Sequence, residues 1–276
     1  MINSICGFSQ KILPISVSLL LFPAMLSAAV LEEVTVTAQK REQSLQDVGI
    51  SVTAFTKDQI KDLGFTNTTD IVHQTPSLSL YEFSPTLTVY NLRGVSQNSF
   101  ADSLEAPIAV YVDGAYVSSM GALNGQLFDI ERVEVLRGPQ GTLYGRNATG
   151  GLIHYISQAP TEQFEAYSEL TVGNFDLVEF TASISGSLGE SVRGRLAAKY
   201  TEQDGYLEWK RSADSSGGLQ VHDDIRDSYG KDAIALKAAL EFDLSDSVMA
   251  TWRVNYSRDD DVPSGATYAA LPPQTR

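Results

Sequence analysis

Three histidines, one cysteine and a short acidic run are the side chains of this chain best suited to catalysis or metal binding, and their spacing argues against both. His73, His154 and His222 lie far apart, with no Cys or acidic partner at ligand spacing, so no metal or catalytic histidine site is expected. Asp259-Asp260-Asp261 lacks the Gly and distal Glu of a calcium loop. Residues 137–151 hold five glycines in fifteen positions and could cradle a phosphate. That chemistry needs a helix after the loop and a Gly-Lys-Ser/Thr ending. Here the sequel, Leu152 to Ser157, reads as a strand, and no Gly-Lys closes the loop. Tight turns and close backbone approach explain these glycines better. No Ser-His-Asp or paired-carboxylate arrangement stands out. The chain is read as a binding protein, not an enzyme, with no metal and no cofactor.

Acidic residues outnumber basic ones 34 to 20, a net charge of −14. Without a basic tract such a chain grips a phosphate backbone poorly, so no nucleic acid partner is expected. With 43% hydrophobic and 20% charged residues it can bury a core. Residues 1–29 read as a signal peptide: Lys11, an apolar run from Ile12 to Leu26 broken by Pro14 and Pro23, then Ser27-Ala28-Ala29. The run, about 15 residues, is shorter than the ~20 a spanning helix needs. Cys6 precedes the run, which excludes a lipoprotein reading, and a single cysteine excludes a disulfide framework. Cleavage after Ala29 leaves 19 basic and 34 acidic residues, or −15, in an exported chain.

The elements that would position binding groups fall into three stretches. Residues 30–47 open with Val30, Val34, Thr35, Val36 and Thr37, a β-branched strand followed by a polar linker. This strand could pair inside its own domain or be captured by another protein through strand addition. Residues 48–163 read as a compact α+β domain. Val48 to Phe55 is a strand, Thr56-Lys57-Asp58-Gln59 is a capping box, and Gly64 stops the helix. A second helix runs from Asn67 or Thr68 to about Gln74, before Pro76. Asp113-Gly114 between apolar triplets predicts a hairpin, and Ile130 to Leu136 a strand flanked by charges.

From Phe164 onward the pattern turns to period two. Five long strands, beginning near Ala166, Val178, Val192, Ile234 and Val248, each show one apolar and one polar face. Short links join them, with one long polar link from about Thr201 to Gly230. An antiparallel sandwich gives the same alternation. Strand lengths near 9–11 residues, unequal links and aromatics such as Tyr200 and Tyr256 towards strand ends favour an outer-membrane barrel.

Several of these segments resemble the front of a TonB-dependent outer-membrane receptor. Glu33-Val34-Thr35-Val36-Thr37-Ala38 resembles the TonB box, which favours the strand-addition reading. Asn91-Leu92-Arg93-Gly94 resembles the plug's Ile-Arg-Gly motif, with Leu92 replacing Ile, and Val112-Asp113-Gly114 its Val-Asp-Gly hairpin. Ile130 to Gly151 resembles the plug's most recognisable signature, although His154 stands in the following strand where the family usually has Asn.

The resemblance implies an α+β plug domain followed by antiparallel transmembrane β-barrel strands, an incomplete barrel of the 22-stranded type. The organisation expected is a signal peptide (1–29), TonB box and linker (30–47), plug (48–163) and the first five or so barrel strands (164–276). With the box just after cleavage, no N-terminal signalling domain is expected. TonB would bind through Glu33, Val34, Thr35, Val36, Thr37 and Ala38. Plug–barrel contacts would come from Glu131, Arg132, Glu134 and Arg137. Plug loops around Tyr81–Thr86 and Ser96–Ala106 would face the ligand through Tyr81, Phe83, Gln97, Asn98 and Phe100. The function implied is energy-coupled uptake of a scarce ligand, a ferric siderophore first; glycans, cobalamin and aromatic compounds are alternatives, as is a soluble exported binding protein with a sandwich domain. The other partners expected are the outer-membrane lipid and that small iron chelate or nutrient. The 113 residues after the plug fall short of the roughly 220 that 22 strands need, so the chain is expected to be truncated and unable to transport alone.

Overall fold

The fold is that of a computed structural model describing residues 34–65, 68–84, 87–97, 105–118, 127–205, 230–245 and 247–260, without the side chains of 82–84, 87, 88 and 259. The expected signal peptide, Glu33, Asn98, Phe100 and His222 lie outside the described residues.

The chain begins with two short strands, β1 (Thr35–Val36) and β2 (Gln43–Ser44), paired antiparallel. β3 (Ser51–Thr56) starts three residues later than its sequence suggests and leads into α1 (Lys57–Asp62). The capping box is formed: the Gln59 amide donates to Thr56 Oγ1 at 3.4 Å, and the Thr56 amide donates to Gln59 Oε1 at 3.1 Å. α2 (Thr68–Gln74) follows, then the hairpin of β4 (Leu78–Ser84) and β5 (Leu87–Leu92). Tyr81, expected in a loop, therefore lies within a strand. Its neighbours explain why: Leu78 is buried and Leu80 packs on the core, so Tyr81 takes the opposite, exposed side of the pleat.

β6 (Ile108–Val112) and β7 (Ala115–Val117) form the expected hairpin, with positive φ at Asp113 (50°) and Gly114 (83°), as a primed two-residue turn requires. β8 (Ile130–Arg137), the helical turn α3 (Gly141–Tyr144) and β9 (Gly151–Ser157) complete the domain. α3 was not apparent in the glycine-rich sequence. The close approach expected there does occur: a Cβ on Gly151 would run into the Leu136 carbonyl oxygen, and one on Gly150 would crowd Ile108 and Val95.

The sheet order is β3-β8-β9-β6-β7, antiparallel except for the parallel β6–β9 pair. Both faces are covered. Phe55, Val133, Val135, Ile153 and Tyr155 pack under the side of α1, α2 and the β4–β5 hairpin. Ala109, Tyr111, Leu136 and Leu152 pack under Val36, Ala38, Tyr144 and Ala148.

A second five-stranded sheet follows as an antiparallel meander: β10 (Glu165–Val172), β11 (Val178–Ser187), β12 (Val192–Gln203), β13 (Lys231–Ser245) and β14 (Val248–Asp259). Its apolar side chains stay uncovered, among them Leu170, Phe180, Ile184, Leu196, Leu236, Trp252, Val254 and Tyr256. Ser183, Ser185, Arg195, Lys199, Thr201 and Glu241 are buried instead. A water-soluble sandwich would bury the opposite set. Polar residues inside and an apolar band outside are the arrangement of a membrane barrel wall, so the sandwich alternative does not hold. Among the described residues no helix is long and apolar enough to cross a membrane.

Candidate functional site: the docked N-terminal strand and the plug–wall contact

The N-terminal strand, for which the sequence offered pairing inside its own domain or capture by another protein, is docked in this structure. β-branched residues favour extension, and the linker folds back so that Leu45 donates its amide to the Val34 carbonyl at 2.8 Å and Thr35 and Val36 align with Ser44 and Gln43. A partner within the same segment thus exists, because Lys40 at φ 57°, its amide bonded to the Thr37 carbonyl, turns the chain. Val36 and Ala38 are both fully buried against Leu136, Leu152 and Tyr111.

Polar groups fix the strand from the other side. Glu134, fully buried, accepts the Thr37 amide at 2.7 Å, the Thr37 hydroxyl at 3.2 Å and Arg132 Nε at 2.9 Å. Arg132 also reaches Thr37 Oγ1 at 3.2 Å. Tyr144 donates its hydroxyl towards the Ala38 carbonyl at 3.2 Å, and Lys40 lies over its ring at 5.4 Å. Burial first, then the nearby Glu134 carboxylate and Tyr111, push the Tyr144 hydroxyl up to about 12, which keeps it a donor. Tyr111 in turn donates to the Tyr144 carbonyl at 2.6 Å.

His154 sits opposite Glu134 in the β8–β9 register. Its Nε2 accepts the Gly114 amide at 3.1 Å, which holds the hairpin turn and requires the neutral ring. Burial lowers its pKa, against the pull of Glu134 and Asp113. Among the described residues neither His154 Nδ1 nor Glu134 Oε2 has a hydrogen-bond partner.

The four β8 charges expected to meet the barrel all have partners within the domain. Glu131 pairs with Arg132, Arg132 with Glu134, and Arg137 donates to Thr53 Oγ1 at 2.7 Å. The reason is the pleat: Arg132 and Glu134 share the face on which the N-terminal strand lies, while Arg137 ends the strand beside β3. The contact with the wall comes from the residues just before β8. Arg195 of β12 grips both carboxylate oxygens of Asp129, through Nε at 3.0 and 2.9 Å, with both side chains about 95% buried. Lys237 of β13 donates to the Phe128 carbonyl at 2.9 Å and to Ser157 Oγ at 3.0 Å, and lies over the Phe128 ring. Sequence reasoning missed Asp129, Arg195 and Lys237. The one available signal was that Arg195 and Lys237 fall on the polar face of their strands.

Of the expected ligand residues, Tyr81 is exposed on β4 and Gln97 is half-buried after the turn at Arg93-Gly94. Phe83 belongs to β4, but its side chain is outside the described set. An open cleft of about 770 Å³ lies between α1 and β10–β12, lined by Lys61, Phe65, Glu169, Glu179 and Lys199 among others.

A two-faced α+β domain joined through a buried ion pair and a buried lysine to strands that turn their apolar side outward defines a plugged outer-membrane β-barrel protein. Residues 44–152 match the family described as TonB-dependent Receptor Plug Domain. The ferripyoverdine receptor of Pseudomonas aeruginosa is 29% identical over 220 residues, 78% of this chain and 24% of that receptor. The vitamin B12 transporter BtuB of Vibrio vulnificus is 30% identical over 195 residues, 67% of this chain and 30% of the transporter. The crystal structure of the ferripyoverdine receptor of the outer membrane of Pseudomonas aeruginosa, bound to ferripyoverdine, superimposes with a TM-score of 0.67 at 25% identity, covering 84% of this chain and 28% of that one. The chain belongs to the TonB-dependent receptors of the outer membrane, and it spans about a quarter of the length of the curated relatives it matches.

Proposed function

We propose that this chain is the TonB-coupled end of a receptor that takes up a scarce ligand across the outer membrane, a ferric siderophore in the first instance. The observation that carries the reading is the β-branched segment Val34–Ala38 laid on a plug that is itself bolted to a membrane wall through Asp129–Arg195. Such a segment can be taken up as an added strand, where several backbone hydrogen bonds, each worth about 0.5–1.5 kcal/mol net, bear load together. Pulling on it would act first on the plug face formed by β8 and β9, whose far side holds α1, α2 and the β4–β5 hairpin. Tyr81, Phe83, Gln97 and, beyond the described residues, Asn98 and Phe100 are proposed to meet the ligand. The siderophore reading leans on the ferripyoverdine receptor, and cobalamin is the second choice because a vitamin B12 transporter is also a relative.

Two measurements test this. The periplasmic domain of TonB should bind the chain in detergent micelles, and Thr35→Pro, which removes a backbone donor from the edge turned away from β2, should abolish that binding. Tryptophan fluorescence should be quenched by ferric hydroxamate or catecholate chelates more than by cobalamin. Binding that survives Thr35→Pro would remove the box assignment, and quenching by cobalamin alone would move the ligand class.

A further inference from the structure

We infer that Glu134 is a latch that keeps the N-terminal strand from being captured until its hold on the Thr37 amide is broken. The inference rests on the strand-addition reading above and adds to it a control on access. In an antiparallel pair, alternate residues turn their backbone groups towards and away from the neighbour. Leu45 donates to the Val34 carbonyl, so Val34 and Val36 face β2, while Thr35 and Thr37 face away. An incoming strand therefore has to form its ladder on the Thr35–Thr37 edge or displace β2. On that edge the Thr37 amide is already given to Glu134 Oε1 at 2.7 Å, and the Thr37 hydroxyl lies between Glu134 and Arg132. Tyr144 holds the Ala38 carbonyl at 3.2 Å just beyond. The anchoring groups are 95 to 106 residues away in sequence, so the hold exists only when the plug is folded.

The carboxylate suits this role because it does not depend on the strand for all its bonds. Glu134 also accepts from Arg132 Nε at 2.9 Å, a bond that does not involve the strand and remains available when Thr37 leaves. Release thus leaves a buried charge that still has its cation, rather than an unpaired one. Val36 and Ala38, both fully buried, add apolar contacts that must also be given up, so capture proceeds through a minor undocked state. Loosening the latch raises the population of that state and tightens the apparent affinity for any strand-adding partner by the same factor.

The test compares the wild-type chain in detergent micelles with Glu134→Gln, Thr37→Val and Tyr144→Phe, using two readouts. Hydrogen exchange of residues 34–38 should speed up by about tenfold in Glu134→Gln and by less in the other two, in line with loss of a charge-assisted hydrogen bond. Binding of the periplasmic domain of TonB should tighten by about five- to tenfold in the same order. Thr37→Val leaves every plug side chain in place, so it keeps the test open should Glu134→Gln fold poorly. Unchanged exchange in all three variants overturns the latch, and so does faster exchange with unchanged affinity. No TonB binding by any chain, wild type included, removes the partner reading, while faster exchange in those samples still supports the latch.

Discussion

The sheet β3-β8-β9-β6-β7 and the sheet β10–β14 each hold five strands, yet they bury opposite kinds of side chain. In the plug sheet, Val133, Val135, Leu136, Leu152 and Ile153 are almost wholly buried, and the few polar groups there are tied into networks. In the wall sheet, Leu196 and Leu236 are exposed while their neighbours Arg195 and Lys237 turn inward. One sheet is made for water on the outside and the other for lipid. The joint between them is largely polar, because the wall's inner face offers the plug only small apolar groups, Ala197 and Ala235 against Phe128. Asp129–Arg195 and Lys237–Phe128–Ser157 are that joint.

Breaking the joint should have the largest effect. Asp129→Ala leaves Arg195 buried without its anion and should destabilise the plug–wall unit by about 3–5 kcal/mol, read as a lowered urea midpoint in detergent. Asp129→Leu combined with Arg195→Leu should cost less than either single change, since no orphaned charge remains. Next in size is the plug core, where Ile153→Ala should cost about 2–5 kcal/mol. The wall's counterpart is Leu236→Lys, expected to cost about 2–4 kcal/mol if the residue faces mid-bilayer; transfer of unfolding from lipid vesicles would read it. A negligible cost for Leu236→Lys in vesicles would dissolve the contrast between the sheets. Tyr144→Phe removes one hydrogen bond to the docked strand and should cost about 1 kcal/mol, seen as local exchange rather than as a shift in global unfolding.

The smallest effect is a pH dependence. Burial lowers the pKa of His154 below its ordinary 6.5, so the unfolded chain binds its proton more readily than the folded plug does. Stability associated with this group is therefore full above about 6.5 and declines as pH falls below it. His154→Asn should flatten that part of the stability profile while leaving the higher-pH value within about 1 kcal/mol, measured by denaturant midpoints from wild type and variant at matched pH. A wild-type and variant profile that stay parallel through this range would mean His154 is as protonated folded as unfolded.

Much of the fold was legible along the chain. Thr56 to Gln59 announced a helix start, Asp113-Gly114 a hairpin, and Gly150-Gly151 a close approach between backbones, because each is a local demand met by particular residue types. Tyr81 was misplaced because its strand is held by Leu78 and Leu80 against a core assembled from elsewhere. The place where Val34–Ala38 docks and the partner of Asp129 were invisible for a related reason. The Thr37–Glu134 bond joins residues 97 positions apart and the Arg195–Asp129 pair joins residues 66 apart, and neither leaves a local signature.

The sequence by itself determined the alternation of five long strands, the segments resembling box and plug, and hence the family to which the chain belongs. It could say that each wall strand has two faces; it could not say which face meets the plug, since a period of two is the same in a sandwich and in a barrel. Only the tertiary structure decided that Arg195 and Lys237 point inward and Leu196 and Leu236 outward, that Asp129 carries a joint to the described wall strands, and that Glu134 holds the N-terminal strand. The physical reason is common to all three. A buried charge must find its partner wherever the folded chain brings one, and that place is set by packing rather than by neighbours in sequence.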